Sequence, residues 1–182
     1  MDINDNNFSK IIFITGGTKS GKSEYAEYLG RKIKKITYIA LSEDRKEDTN
    51  WQKKILYHRK RRPKNWELIE TNNLINALKR VKGPLLIDSI GGFIMESINK
   101  NDDEWSEKIH LLLNLLKIRV NTTLIVGEQV GWSLVSEYEI GNRYIERLGD
   151  LQKRITKISG ENWLTVNGRA IKLDNISIEI PS

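Results

Sequence analysis

Apolar and polar positions alternate in blocks along the chain, and the blocks change period. "IIFIT" (11–15) is a β-rich apolar run that stops at two glycines, which predicts a buried strand. From Lys22 the period becomes helical, with Tyr25, Ala26, Leu29 and Ile33 on one stripe. "ITYIA" (36–40) predicts a second strand. Residues 42–50 are polar and acidic without a period, which predicts a loop. Residues 51–61 carry Trp51, Ile55 and His58 at helical spacing, and Pro63 ends that segment. "WELIE" (66–70) reads as a short strand, "NLINALKRV" (73–81) as an amphipathic helix and "GPLLIDS" (83–89) as a strand after a turn. Asp102, Asp103 and Glu104 precede a long helix running to about Val120, with Asp103 as the expected N-cap. "TTLIVG" (122–127) predicts a strand and residues 142–158 a helix. Residues 162–173 predict a hairpin turning at Asn167-Gly168.

Strands that alternate with helices imply an α/β three-layer fold with a mainly parallel sheet. No repeat, low-complexity tract or linker interrupts the pattern, so one domain over 1–182 is the expectation. Residues 1–9 read as a loose tail, and "NISIEIPS" at the other end as a short strand or a tail.

Composition narrows the chemistry. The net charge is +6 and the sequence pI about 9.4, which favours anionic partners without choosing among nucleic acid, nucleotides and acidic lipid. The absence of cysteine removes disulfides, a thiolate nucleophile and Cys-ligated metal, and fits a cytoplasmic location. The polar, acidic start "MDINDNNFSK" is unlike a secretory leader, and runs such as "LLLNLL" (111–116) are too short to span a bilayer.

"GGTKSGKS", Gly16 to Ser23, matches G-x-x-x-x-G-K-[ST]. A loop that bends round a phosphate needs glycines at close approaches and at positive φ. Its amides (Gly16, Gly17, Thr18, Lys19, Ser20, Gly21) and the start of the next helix then face the anion. Lys22 neutralises β/γ-phosphate charge, and Ser23 offers an oxygen to Mg²⁺. A glycine-rich βα turn without a ligand gives the same bare pattern. The apolar strand before it and the amphipathic helix after it favour the phosphate reading. Asp88, closing the apolar run "LLID", is the expected second metal ligand, although an aspartate there also suits a helix cap.

In "KKILYHRKRRPKNW" five of the six residues after His58 are cationic. A neutral imidazole is a nucleophile towards phosphorus. Neighbouring cations disfavour the imidazolium and could bind the phosphates under attack. The same run could instead be a solvated charged turn. His110, inside "EKIHLLLNLL", has no such surroundings and reads as an ordinary helix residue.

These segments together resemble the adenosylcobinamide kinase / adenosylcobinamide-phosphate guanylyltransferase family of cobalamin synthesis. The resemblance runs from about Ile11 to Leu173 through "GGTKSGKSEYAEYL", "YIA", "KILYHRKRRPKNW", "LLIDS" and "GWSLVSEYEIGNRYIERLGDLQKRI". It implies a P-loop fold of the RecA kind, phosphorylation of adenosylcobinamide by ATP or GTP, and GMP transfer from GTP through a GMP–histidine at His58. It implies nucleotide contacts at the P-loop, at Ala40, Leu41 and Ser42, at Arg59, Lys60, Arg61 and Arg62, and at Glu70 and Asp88. Lys22 and His58 are the implied catalytic residues, Mg²⁺ the cofactor, and a homo-oligomer, expected as a trimer, the assembly. The sequence departs from the family pattern at Lys54, Asn50, Ser133–Ser136 and Ile145. Where the family has N-E-V-G it reads Glu128-Gln129-Val130-Gly131, with the acid one place early.

Two other functions fit the residues. One is a small-molecule P-loop kinase without guanylylation. The other is a nucleic-acid-binding NTPase with Lys53–Lys64 as a backbone clamp. The lack of an aromatic stacking platform speaks against nucleic acid.

Overall fold

The computed structural model describes residues 10–41, 63–132 and 136–181. Among the described residues seven strands form one sheet: β1 (Ile11–Gly16), β2 (Thr37–Leu41), β3 (Glu67–Thr71), β4 (Leu85–Asp88), β5 (Thr123–Glu128), β6 (Glu161–Val166) and β7 (Arg169–Lys172). Their order is β3-β2-β4-β5-β1-β6-β7. All neighbours run parallel except β7, which pairs antiparallel with β6. The helices are α1 (Lys22–Gly30), α2 (Leu74–Arg80), α3 (Gly91–Glu96), α4 (Asp102–Lys117) and α5 (Glu139–Ile158).

The expected three layers are present. Alternate strand residues face opposite sides. Ile14, Tyr38, Leu86, Leu124 and Val126 pack with Ala26 of α1 on one side. Phe13, Ile39, Ile87 and Ile125 pack with Leu78, Phe93, Leu112 and Leu148 of the other helices on the opposite side. Because both faces are covered, the central strands read as unbroken apolar runs instead of alternating ones.

The hairpin turns at Asn167 and Gly168, with φ of 50° and 76°, as a two-residue primed turn requires. The strand ends β1 Gly16, β5 Glu128, β4 Asp88, β2 Leu41 and β3 Thr71 share one edge of the sheet. Ligands of open α/β sheets bind outside such carboxyl ends.

Several local expectations change. α1 stops at Gly30, short of Ile33. Lys32 N–H donates to Leu29 O and Ile33 N–H to Gly30 O, a tightened turn that returns Ile33 to the packed face without extending the helix. A Cβ on Gly30 would meet the Trp66 ring at 2.7 Å. The cap of α4 is Asn101 and not Asp103. Asn101 Oδ1 accepts from Glu104 N–H at 2.9 Å, and Glu104 Oε2 accepts from Asn101 N–H at 3.1 Å. A reciprocal pair outcompetes a single aspartate cap. Asn101→Ala should therefore cost about 1 kcal/mol and lower the melting midpoint by roughly 2–4 °C in a thermal scan.

α4 ends at Lys117, short of Val120, and α5 begins three residues before the expected start at Asn142. The six-residue α3 was not expected. Buried Arg147 holds the turn after it, donating to Ser97 O at 2.9 Å and Lys100 O at 2.7 Å. Beyond a short 3₁₀ turn (Leu173–Asn175), residues 176–181 form no strand. The expectations for residues 1–9, for the 42–50 loop and for a helix over 51–61 lie outside the described residues.

Candidate active site

β1 delivers the chain to Gly16, where no side chain fits. A Cβ there would stand 2.2 Å from Thr165 Oγ1 and 2.4 Å from Ser20 Oγ. The loop then turns through Lys19 and Gly21, at φ of 57° and 99°, before α1 begins. Ser20 N–H donates to Gly17 O at 3.2 Å, and Tyr25 N–H to Gly21 O at 2.8 Å. The Lys22 ammonium donates to Gly17 O at 3.0 Å, which draws its charge back over the loop.

Adjacent elements fix the loop from two sides. Just past β5, Gln129 N–H donates to Gly16 O at 2.9 Å. On β6, Thr165 Oγ1 donates to Thr15 O at 3.0 Å and lies 2.8 Å from Ser20 Oγ. The hairpin turn reaches the loop as well, since Gly168 N–H donates to Ser20 O at 3.0 Å.

α1 carries Ser23 in its first turn, and β4 brings Asp88 to the same place. Ser23 Oγ donates to Asp88 Oδ1 at 3.2 Å, and Tyr38 Oη donates to Asp88 Oδ2 at 2.5 Å. These are hard oxygen donors. Oxygens at about 2.0–2.1 Å in neighbouring corners of a Mg²⁺ octahedron lie roughly 2.9 Å apart, so the Ser23–Asp88 pair fits such an ion. Among the described residues no three acidic or histidine side chains cluster as a metal cage. Mg²⁺ takes one or two protein ligands together with phosphates and water.

Beside Asp88, at the end of β5, stands Glu128. Its Oε1 accepts from Ser89 Oγ and its Oε2 from Gly91 N–H at 3.3 Å. Burial raises the Glu128 carboxyl above the usual range. Asp88 adds to the rise, while Ser89 and Lys22 oppose it. Burial, reinforced by the Glu128 charge, also raises the Tyr144 phenol. The two groups share the space over Gly91, where a Cβ would meet Tyr144 Oη at 2.2 Å and Glu128 Oε1 at 2.9 Å.

The fold therefore gathers Gly16 to Ser23 with Asp88. Ala40 pairs in register with Asp88, and Leu41 follows it. Glu70 pairs with Ala40 on the other side, at the outer strand. Four strand steps, about 19 Å, separate β3 from β1, so Glu70 is not brought to the P-loop itself. His58, Ser42, Arg59, Lys60, Arg61 and Arg62 lie outside the described residues. The sequence reading missed Tyr38, Glu128, Thr165 and Gly168 as parts of this edge. For Glu128 a signal existed: an acid closing an apolar strand, as Asp88 does.

Residues 12–173 match the family described as cobinamide kinase / cobinamide phosphate guanyltransferase. The chain belongs to this family. Members similar to it include the bifunctional adenosylcobalamin biosynthesis protein CobU of Escherichia coli K12, 25% identical over 181 residues, covering 90% of this chain and 99% of that protein. The bifunctional adenosylcobalamin biosynthesis protein CobP of Pseudomonas aeruginosa is 26% identical over 166 residues, covering 88% and 95%. Among solved structures, the P4 protein from bacteriophage phi6 in complex with ADP aligns at a TM-score of 0.40 with 15% identity, over 88% of this chain and 52% of that one. Among the described residues of this family member, no helix is long and apolar enough to cross a membrane.

Proposed function

We propose that this chain phosphorylates adenosylcobinamide and then transfers GMP from GTP to adenosylcobinamide phosphate through a GMP–His58 intermediate. The observation that carries the reading is the joining of Ser23 and Asp88 beneath a formed P-loop, in a chain that matches the kinase/guanyltransferase family over residues 12–173.

In the kinase step the loop amides from Gly16 to Gly21 and Lys22 hold the triphosphate of ATP or GTP. Ser23 and Asp88 would hold Mg²⁺, which would supply charge neutralisation across the phosphates. The substrate hydroxyl attacks the γ-phosphorus, the bond to the β-phosphate oxygen breaks, the nucleoside diphosphate leaves and the hydroxyl proton is released. In the transfer step a His58 nitrogen attacks the α-phosphorus of GTP and pyrophosphate leaves. A phosphate oxygen of the corrinoid then displaces His58, breaking the P–N bond. Arg59, Lys60, Arg61 and Arg62 balance the charge that develops. Ala40 and Leu41 at the carboxyl end of β2, Glu70 on β3, and Ser42 hold the rest of the nucleotide. The same reading gives a cytoplasmic, homo-oligomeric enzyme with a single P-loop domain and no nucleic-acid partner.

Incubation with GTP labelled separately at the α and γ positions tests this. The γ-label should move to adenosylcobinamide. The α-label should become protein-bound, labile in acid and stable in base, and be discharged by adenosylcobinamide phosphate. Transfer of γ-label alone would reduce the chain to a small-molecule kinase. Transfer of neither would refute the proposal.

A further inference from the structure

The two oxygens of Asp88 meet two hydroxyls from different parts of the fold. Oδ1 faces Ser23 on α1. Oδ2 accepts from Tyr38 on β2 at 2.5 Å. Tyr38 pairs in register with Leu86, two residues before Asp88. Positions two apart on a strand share a face and lie about 6.6 Å apart along it, a distance a tyrosine side chain spans. The hydroxyl therefore approaches Asp88 from within the sheet's α1 face. Its ring is 1% exposed, clustered with Ile14, Leu86 and Val126, and tilted against Trp66 at a centroid distance of 6.3 Å. A ring packed this closely holds its hydroxyl in a narrow range of positions.

We propose that Tyr38 is a positioning residue for the cation–nucleotide site: it holds Oδ2 of Asp88 so that Oδ1 is presented towards Ser23. An aspartate carboxylate rotates readily about its last torsion. A hydrogen bond to a charged oxygen restrains that rotation before any ligand arrives. With Oδ2 engaged by the hydroxyl, Oδ1 is the oxygen that faces Ser23. The inference rests on the reading of Ser23 and Asp88 given above.

Tyr38→Phe tests it in the full chain, because phenylalanine keeps the packed ring and removes only the hydroxyl. Binding of a non-hydrolysable GTP analogue is measured by titration calorimetry, in chelator and across a magnesium series. The magnesium concentration that gives half of the affinity gain should rise about tenfold, the effect of one charged hydrogen bond. Affinity in chelator should stay within about twofold, because the P-loop itself is untouched. In an Asp88→Asn background the same substitution should add little, since the two residues act as one unit.

A magnesium dependence equal to that of the unaltered chain would overturn the role of Tyr38 while leaving the P-loop reading intact. Equal losses with and without magnesium, or loss of the fold, would make the hydroxyl merely structural and overturn it too. An unaltered chain whose nucleotide affinity ignores magnesium would overturn both the inference and the metal-binding part of the proposed function.

Discussion

His58→Ala should bring protein-bound GMP to background, a loss of at least about 10³-fold, while γ-phosphate transfer to adenosylcobinamide stays within a few-fold of normal. The asymmetry follows from the chemistry. Only the transfer step forms a P–N bond, so only that step needs the imidazole. On the proposed reading the kinase step uses the P-loop, Ser23 and Asp88, all of which belong to the described fold. The measurement is parallel α- and γ-label transfer in one preparation. Retained α-label in His58→Ala would move the nucleophile elsewhere. Loss of both activities would mean that His58 serves nucleotide binding and does not carry GMP.

Lys22→Ala should have the complementary signature. Both transfers should fall by about 10²–10³-fold, because one ammonium serves the triphosphate whichever phosphorus is attacked. The fold should be little affected. In the structure Lys22 donates to Gly17 O at 3.0 Å, and the loop keeps its anchors to Gln129, Thr165 and Gly168. A melting midpoint within about 2 °C of normal, measured beside the activities, separates lost catalysis from lost structure. A kinase rate near normal in Lys22→Ala would show that the P-loop is not the site of γ-phosphate transfer.

Much of the frame was legible because its causes are local. Apolar runs such as "IIFIT" and "TTLIVG" need cover on both faces, and that requirement alone implies helices on both sides of a parallel sheet. Asn167-Gly168 names its own turn. The P-loop glycines are required by φ at Gly21 and by crowding at Gly16, and both requirements sit within one short stretch. The misses have causes at a distance. Helix α1 was read through Ile33 because Ile33 is apolar, yet the chain buries Ile33 through a tightened turn instead of another helical turn. Asn101 takes the cap of α4 from Asp103 because Glu104 can answer it. Nothing local singles out Tyr38 within the strand run "ITYIA". Its hydroxyl matters only because a strand 50 residues later places Asp88 beside it. Glu128 was noted as an acid out of place in a motif; its neighbours Ser89, Gly91 and Tyr144 emerge only when β4 and α5 are assembled around it. The basic run at His58 stands on residue chemistry and resemblance, since residues 42–62 lie outside the described fold.

The anchoring of the P-loop by the final hairpin bears on how the protein is made. β1 leaves the ribosome first, but its two partners begin at Thr123 and Glu161. The bonds from Thr165 to Thr15 and Ser20 close separations of 150 and 145 residues. Pairings of such long range form late. A nascent chain therefore displays Gly16 to Ser23 long before it has the strands that shape them, and the nucleotide cradle is completed only when Gly168 has emerged. In this enzyme the P-loop segment is translated long before the strands and the turn that shape it, so on the proposed reading a chain captures nucleotide only after its synthesis has run through the hairpin.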